Sequence, residues 1–226
     1  MREKIFPWLE HEFIMLSCEG DPAGSVTAET AQIFSRFDER LHARGLSLDN
    51  TARTRLWARD MDCWESGVKE RARILWGNAR SVSSSHIRPD RFASPARIAV
   101  DLLAMRAHSG QPKGSVEYDP AGIVLRYLDW ENVVFLSGVT VVLPSFDAQL
   151  ATIVGRIGDT LAHANLDWSR VARASFFQHR GQDFAELRRR FAELVPVRIP
   201  LADYTSVDTR QGKLVEIEIT AERRLP

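Results

Sequence analysis

Val133-Val134-Phe135-Leu136-Ser137-Gly138 is an apolar run closed by a serine and a glycine, the pattern of a buried strand that ends at a turn. A related segment occurs earlier, in Phe13-Ile14-Met15-Leu16-Ser17-Cys18. An offset of 120 residues sets Leu16-Ser17 on Leu136-Ser137 and, without gaps, Ala28 on Ala148, Ala31 on Ala151, Ile33 on Ile153, Leu41 on Leu161 and Leu46 on Leu166. The same offset sets Ala52-Arg53 on Ala172-Arg173 and Ala72 on Ala192. Self-similarity at a fixed spacing marks a repeated structural unit, here in two copies.

Periodicity gives both copies the order strand, helix, strand, helix, strand. In the first, Glu12 to Leu16 reads as a strand, and Thr27 to Arg44 is a helix with Ala31, Phe34, Phe37 and Leu41 on one face, stopped at Gly45. A strand over Thr51 to Arg59, a helix over Asp62 to Trp76 and a strand over Arg97 to Met105 follow. In the second copy, Ile123 to Asp129 and Val133 to Ser137 are strands and Phe146 to Ala164 a helix. Val171 to Gln178 is a strand, Phe184 to Leu194 a helix built on Phe184, Leu187, Phe191 and Leu194, and Leu214 to Thr220 an alternating strand. Residues 78–94, rich in Ser and Arg, read as a loop inserted in the first copy. The expected domains are 1–119 and 120–226, divided near Pro120.

The 226-residue chain is 44% apolar and 27% charged, ordinary for a packed, water-soluble protein. Its 30 basic residues balance 30 acidic ones, so no net field draws in nucleic acid. The run Arg188-Arg189-Arg190 reads as a solvated helix face. Cys18 and Cys63 are too few for a disulfide framework, which fits a reducing cytoplasm. Met1 to Phe13 carries no apolar run long enough for a signal peptide or a membrane span. The six histidines, His179 among them, show no metal-ligand spacing, so no metal is expected. The tryptophans lack interleaved basic residues and read as packing.

The second copy, with Val134-Phe135-Leu136-Ser137-Gly138, Asn165-Leu166-Asp167-Trp168-Ser169-Arg170-Val171 and Leu214-Val215-Glu216-Ile217-Glu218-Ile219, resembles the RidA (YjgF) family of small imine and enamine deaminases. The first copy resembles it more weakly, through Ser94-Pro95-Ala96-Arg97 and Val116-Glu117-Tyr118-Asp119. The resemblance implies an α+β fold of two tandem RidA-like (chorismate mutase-like) domains, each a mixed β-sheet with two helices packed on one face. It assigns Arg97 the grip on a substrate carboxylate, which a planar guanidinium makes with two parallel hydrogen bonds. It gives Glu216 and Glu117 the attacking water, and Ser137 and Gly138 a close backbone approach to the ligand. Tyr127 falls near a family pocket aromatic. Cys18 replaces the family glycine in the first copy.

Each copy thus lacks a piece that the other keeps, and the resemblance implies one composite site between domains, with a small carboxylated substrate, no cofactor and a homotrimer as the favoured assembly. The expected reaction is hydrolytic deamination of a carboxylated imine or enamine. A second reading is a divergent tailoring enzyme with the layout of chorismatases, which join a degenerate and a conserved copy and act on a dicarboxylate enol ether. A third is a domain pair that binds a small carboxylate or a protein partner without turning it over.

Overall fold

The computed structural model describes residues 1–22, 24–208 and 212–223. The chain divides into two compact units, Met1–Glu131 and Asn132–Pro226. In unit 1 the elements are β1 (Arg2–Trp8), β2 (His11–Glu19), α1 (Val26–His42), β3 (Thr51–Ala58), α2 (Met61–Ile74), β4 (Val82–Ile87), β5 (Ile98–Arg106), β6 (Gly114–Glu117) and β7 (Leu125–Trp130). Unit 2 holds β8 (Val133–Leu136), β9 (Val139–Thr140), α3 (Phe146–His163), β10 (Val171–His179), α4 (Phe184–Leu194), β11 (Leu201–Val207) and β12 (Val215–Glu222). Among the described residues no helix is long and apolar enough to cross a membrane.

The sheet of unit 1 runs β1-β2-β5-β3-β4. β4 is parallel to β3, while β5 is antiparallel to both β3 and β2. Unit 2 repeats this layout: β11 is parallel to β10, and β12 is antiparallel to β10, with β8 and β9 on its other side. The repeat extends to details. The Ser25 hydroxyl caps α1 by accepting from the Ala28 N–H, and Ser145 caps α3 by accepting from Ala148. A register shift between Thr51 and Arg53 in β3 recurs between Val171 and Arg173 in β10. Each pair is separated by the 120-residue offset of the sequence repeat.

The topology corrects two expectations. Residues 78–94 are not merely a loop, because they contain β4, the counterpart of β11. Its alternating burial is carried by Val82, Ser84 and His86, polar residues in large part, so it lacks the apolar signature of a strand. The closing strand of the first sheet is β5, the counterpart of β12, and not Val116 to Asp119. Val116 and Glu117 belong to β6, which pairs with β7.

Both helices of unit 1 pack on one face of its sheet. Ile33, Phe34, Phe37 and Leu41 of α1 meet Ile14 and Leu16 of β2, Leu56 of β3, and Ile98, Val100 and Leu102 of β5. Gly67 lets α2 approach closely, since a Cβ there lies 2.7 Å from Ile98 Cδ1 and 3.1 Å from Leu56 Cδ1. Both neighbours are fully buried and have little room to move. Gly67→Val is therefore expected to lower unfolding stability by about 1–3 kcal/mol through overpacking. Denaturant unfolding at constant m-value tests this, and an unchanged midpoint would rule it out.

Lys113, just before β6, donates its ammonium to the Thr51 carbonyl at 2.9 Å and lies 5.6 Å from the centre of the Trp130 ring. Burial pulls its pKa from 10.5 down to about 8, against the attraction of Asp49. A folded-state value below the unfolded one means that the folded chain releases this proton first. The penalty is present below pH 8 and relieved as pH rises toward 10.5. Stability is expected to gain from this group across that window, and Lys113→Met to flatten the gain in unfolding curves taken along it. Identical pH profiles for the two proteins would contradict the assignment.

Candidate functional site

The β3-α2-β4 crossover builds a cavity in unit 1 of about 420 Å³. Helix α2 ends when the Leu75 N–H closes on the Arg71 carbonyl at 2.9 Å. Gly77 then takes the left-handed backbone, φ +60, that a glycine adopts without strain. This turn delivers Trp76 and Arg80 to the cavity mouth and directs the chain into β4.

The cavity floor is polar. Thr54 of β3 stands in register with Ser83 of β4, and Ser81 precedes Ser83 by one strand period, so the three line one surface. Thr54 is fully buried and Ser81 is 8% exposed, yet neither hydroxyl has a hydrogen-bond partner among the described residues. Buried hydroxyls ordinarily find partners, and one left without costs about 1–3 kcal/mol. A polar ligand seated on this floor would satisfy both. Beside them, the buried Arg71 guanidinium is anchored on the Ser84 carbonyl at 2.7 Å and the Ser85 hydroxyl at 2.9 Å.

Arg80 is the centre of the site. One guanidinium nitrogen donates to Glu117 Oε2 at 2.9 Å and to the Gly122 carbonyl at 2.7 Å, and a second closes a short ion pair with Glu117 Oε1. The guanidinium also lies 5.4 Å from the centre of the Trp76 ring. A carboxylate is therefore already seated on the planar fork of Arg80 in a bidentate manner, and that carboxylate is the protein's own. Trp76 and Ile123, which also line the cavity, are among the most exposed large apolar residues of the chain.

The sequence-derived candidates fall in different places. Glu117 lines this cavity. Arg97 does not: it sits just before β5, where its backbone N–H and Nε donate to the two oxygens of Glu29 at 3.0 and 2.8 Å. Glu29, on α1, is fully buried. The stretch that follows the second helix and enters the strand parallel to β3 is Ala79-Arg80-Ser81, whereas Arg97 leads into β5, which is antiparallel to β3. Ala79-Arg80-Ser81 and Pro95-Ala96-Arg97 both place an Ala-Arg pair ahead of a strand, so the sequence alone did not single out Arg80. Cys18 lines a separate cavity of unit 1, and Tyr127 is buried on β7. In unit 2, Ser137 and Gly138 link β8 to β9, and Glu216 of β12 is in register with Thr140, two residues past Gly138. Among the described residues no group of three or more His, Cys, Asp or Glu could hold a metal ion.

No protein-family model matches the sequence, and no curated protein matches it. Solved structures do match. The crystal structure of a chorismatase superposes with a TM-score of 0.69 over 93% of this chain and 74% of that one, at 16% identity. The chain has the fold of a chorismatase. Other solved structures match about half of it: a YjgF/YER057c/UK114 family member from Mycobacterium tuberculosis (22% identity, 49% of this chain, 98% of that one, TM-score 0.42) and yeast Mmf1 (17%, 50%, 99%, 0.45). The chorismatase fold is here the tandem arrangement that the repeat implied, with α+β units built on mixed sheets.

Proposed function

We propose that the chain is a hydrolase of a small substrate that carries a carboxylate beside a polarised double bond, and that the Arg80 cavity is its site. The observation that carries this reading is the Arg80 fork, held by a carboxylate at the mouth of a cavity whose floor presents two unpartnered buried hydroxyls. A substrate carboxylate takes the place of Glu117 on the guanidinium. Glu117 is then released beside the reacting carbon, where it accepts a proton from the attacking water. Water adds across the double bond, its oxygen to the carbon next to the carboxylate and the proton taken up by Glu117 to the far carbon of an enol ether or the nitrogen of an imine; the tetrahedral adduct then passes its hydroxyl proton to the leaving group and expels an alcohol or ammonia. Either path leaves a 2-keto acid. The hydroxyls of Thr54 and Ser81 donate to oxygens of the substrate, fixed in place before it arrives.

The whole-chain likeness to a chorismatase favours a carboxylated enol ether over an imine or enamine. Incubation with chorismate, followed by chromatography and a 2-keto acid assay, tests the first class. Ammonia release from freshly generated 2-aminoacrylate tests the second. Turnover of neither, with ligand retained on the protein, would replace the enzyme reading by a carboxylate-binding one.

Glu117→Gln separates the two roles of this residue. It removes the internal competitor for Arg80 and the proton acceptor together. Substrate is expected to bind as tightly or more tightly while kcat falls roughly 100-fold, within the range for loss of a general base. A kcat that survives the substitution would exclude Glu117 from the chemistry.

A further inference from the structure

Apart from the Arg80 site, unit 1 holds a cavity of about 300 Å³ whose lining includes Ser17, Cys18, Glu19, Asp21, Arg36 and Arg91. The acidic groups around it are already engaged. The Glu19 carboxylate accepts from the N–H groups of Ala93 and Ser94, each at 3.1 Å, and from the Ser94 hydroxyl at 2.6 Å. Burial works against the charge on Glu19, but these hydrogen bonds outweigh it and hold the carboxyl below its ordinary pKa. Asp101, behind the cavity, accepts from the Ser17 hydroxyl at 2.6 Å, the Trp57 indole at 2.6 Å and Arg91 at 2.7 Å. Asp21 is paired with Arg36.

The basic groups, by contrast, keep donors to spare. A guanidinium has five N–H donors in a fixed plane, and the bonds just described use few of those on Arg36 and Arg91. Arg91 is further held flat by Trp57, its guanidinium carbon 5.1 Å from the ring centre. Arg36 reaches in from α1 and places one nitrogen 3.9 Å from the Cys18 sulfur. Cys18 occupies the repeat position that unit 2 fills with Gly138, so the thiol at this point is particular to unit 1.

We infer that this cavity is a second ligand site, which binds a compact carboxylate between Arg36 and Arg91 in contact with the Cys18 thiol. It shares no residue with the Arg80 site. Haloacetate labelling of the whole chain tests it, because iodoacetate and iodoacetamide differ in charge and little in shape. In both reactions the Cys18 sulfur displaces iodide from the reagent's methylene carbon and the thiol proton passes to water. By peptide mass spectrometry, the iodoacetate-to-iodoacetamide rate ratio at Cys18 is expected to exceed that of N-acetylcysteine by roughly ten-fold or more, as the spare guanidinium donors of Arg36 and Arg91 seat the reagent's carboxylate beside the sulfur. Malonate is expected to slow the labelling. Arg36→Met is expected to return the ratio to that of the free thiol, whereas Arg80→Ala leaves it unchanged. Cys63 serves as internal control, since burial and the neighbouring Asp60 push its thiol up to about 12. Arg91→Met is the parallel variant; because Arg91 also holds Asp101, Arg36→Met carries the comparison if that protein fails to fold. A ratio no higher than that of N-acetylcysteine, labelling that malonate does not slow, a ratio that Arg36→Met leaves unchanged, or a Cys18 that neither reagent modifies overturns the inference.

Discussion

Arg80→Ala is expected to reduce kcat/KM by roughly 100-fold or more, because a bidentate pair with a substrate carboxylate loses both of its charge-assisted hydrogen bonds at once. Arg80→Lys is expected to recover only part of the loss, since an ammonium restores the charge without the planar fork. The cost in stability should be small. Side-chain exposures of 18% for Arg80 and 33% for Glu117 leave their ion pair in reach of solvent, where such pairs contribute about 1 kcal/mol or less. Steady-state kinetics beside a thermal melt separate the effects. A variant that melts normally and keeps its kcat/KM would remove Arg80 from the site.

Arg97→Ala is expected to do the opposite, with a large loss of stability and little change in the kinetics of the protein that remains folded. Glu29 is fully buried on α1, and it accepts hydrogen bonds from the Arg97 backbone N–H and from the Arg97 Nε. Removing the guanidinium leaves a carboxylate without its cation in a place that water does not reach, which costs about 3–5 kcal/mol for a buried pair. The lower end applies here, because the Arg97 side chain is itself 34% exposed. Glu29→Gln in the Arg97→Ala background should return part of the loss, as an amide needs no counter-ion. Denaturant midpoints for the single and double variants form the cycle that isolates the pair. Normal stability together with lost ligand binding would instead restore Arg97 to the carboxylate-gripping role that the sequence suggested.

The contrast between these arginines shows how the candidate site was partly legible. Ala79-Arg80 and Ala96-Arg97 both follow helical or turn-rich sequence and both enter a strand, so local pattern does not separate them. What separates them is the direction of pairing: the strand after Arg80 is parallel to β3, and the strand after Arg97 is antiparallel to it. Glu117 was named from the sequence as part of a closing strand. It lies instead on β6, which brings it to Arg80.

Elements with strong periodicity were readable, α1 through Phe34, Phe37 and Leu41, and α4 through Leu187 and Phe191. The strands that escaped notice are those with a physical reason to look irregular. β1 and β11 are edge strands, and β1 contains Pro7, which a central strand excludes. β4 faces α2 with serines, which hold Arg71 and line the cavity where apolar residues would ordinarily pack.

By itself the sequence determined the duplication, the order of the strongly periodic elements and the α+β class, because these rest on periodicity and on self-similarity, which are local properties of the chain. Tertiary structure alone decided which arginine meets a carboxylate at a cavity, which carboxylate that is, and which thiol stands beside a second cavity. Those are pairings between residues far apart in the chain, such as Arg80 with Glu117, and Arg97 with Glu29. Strand order and direction set them, and no spacing along the sequence records either.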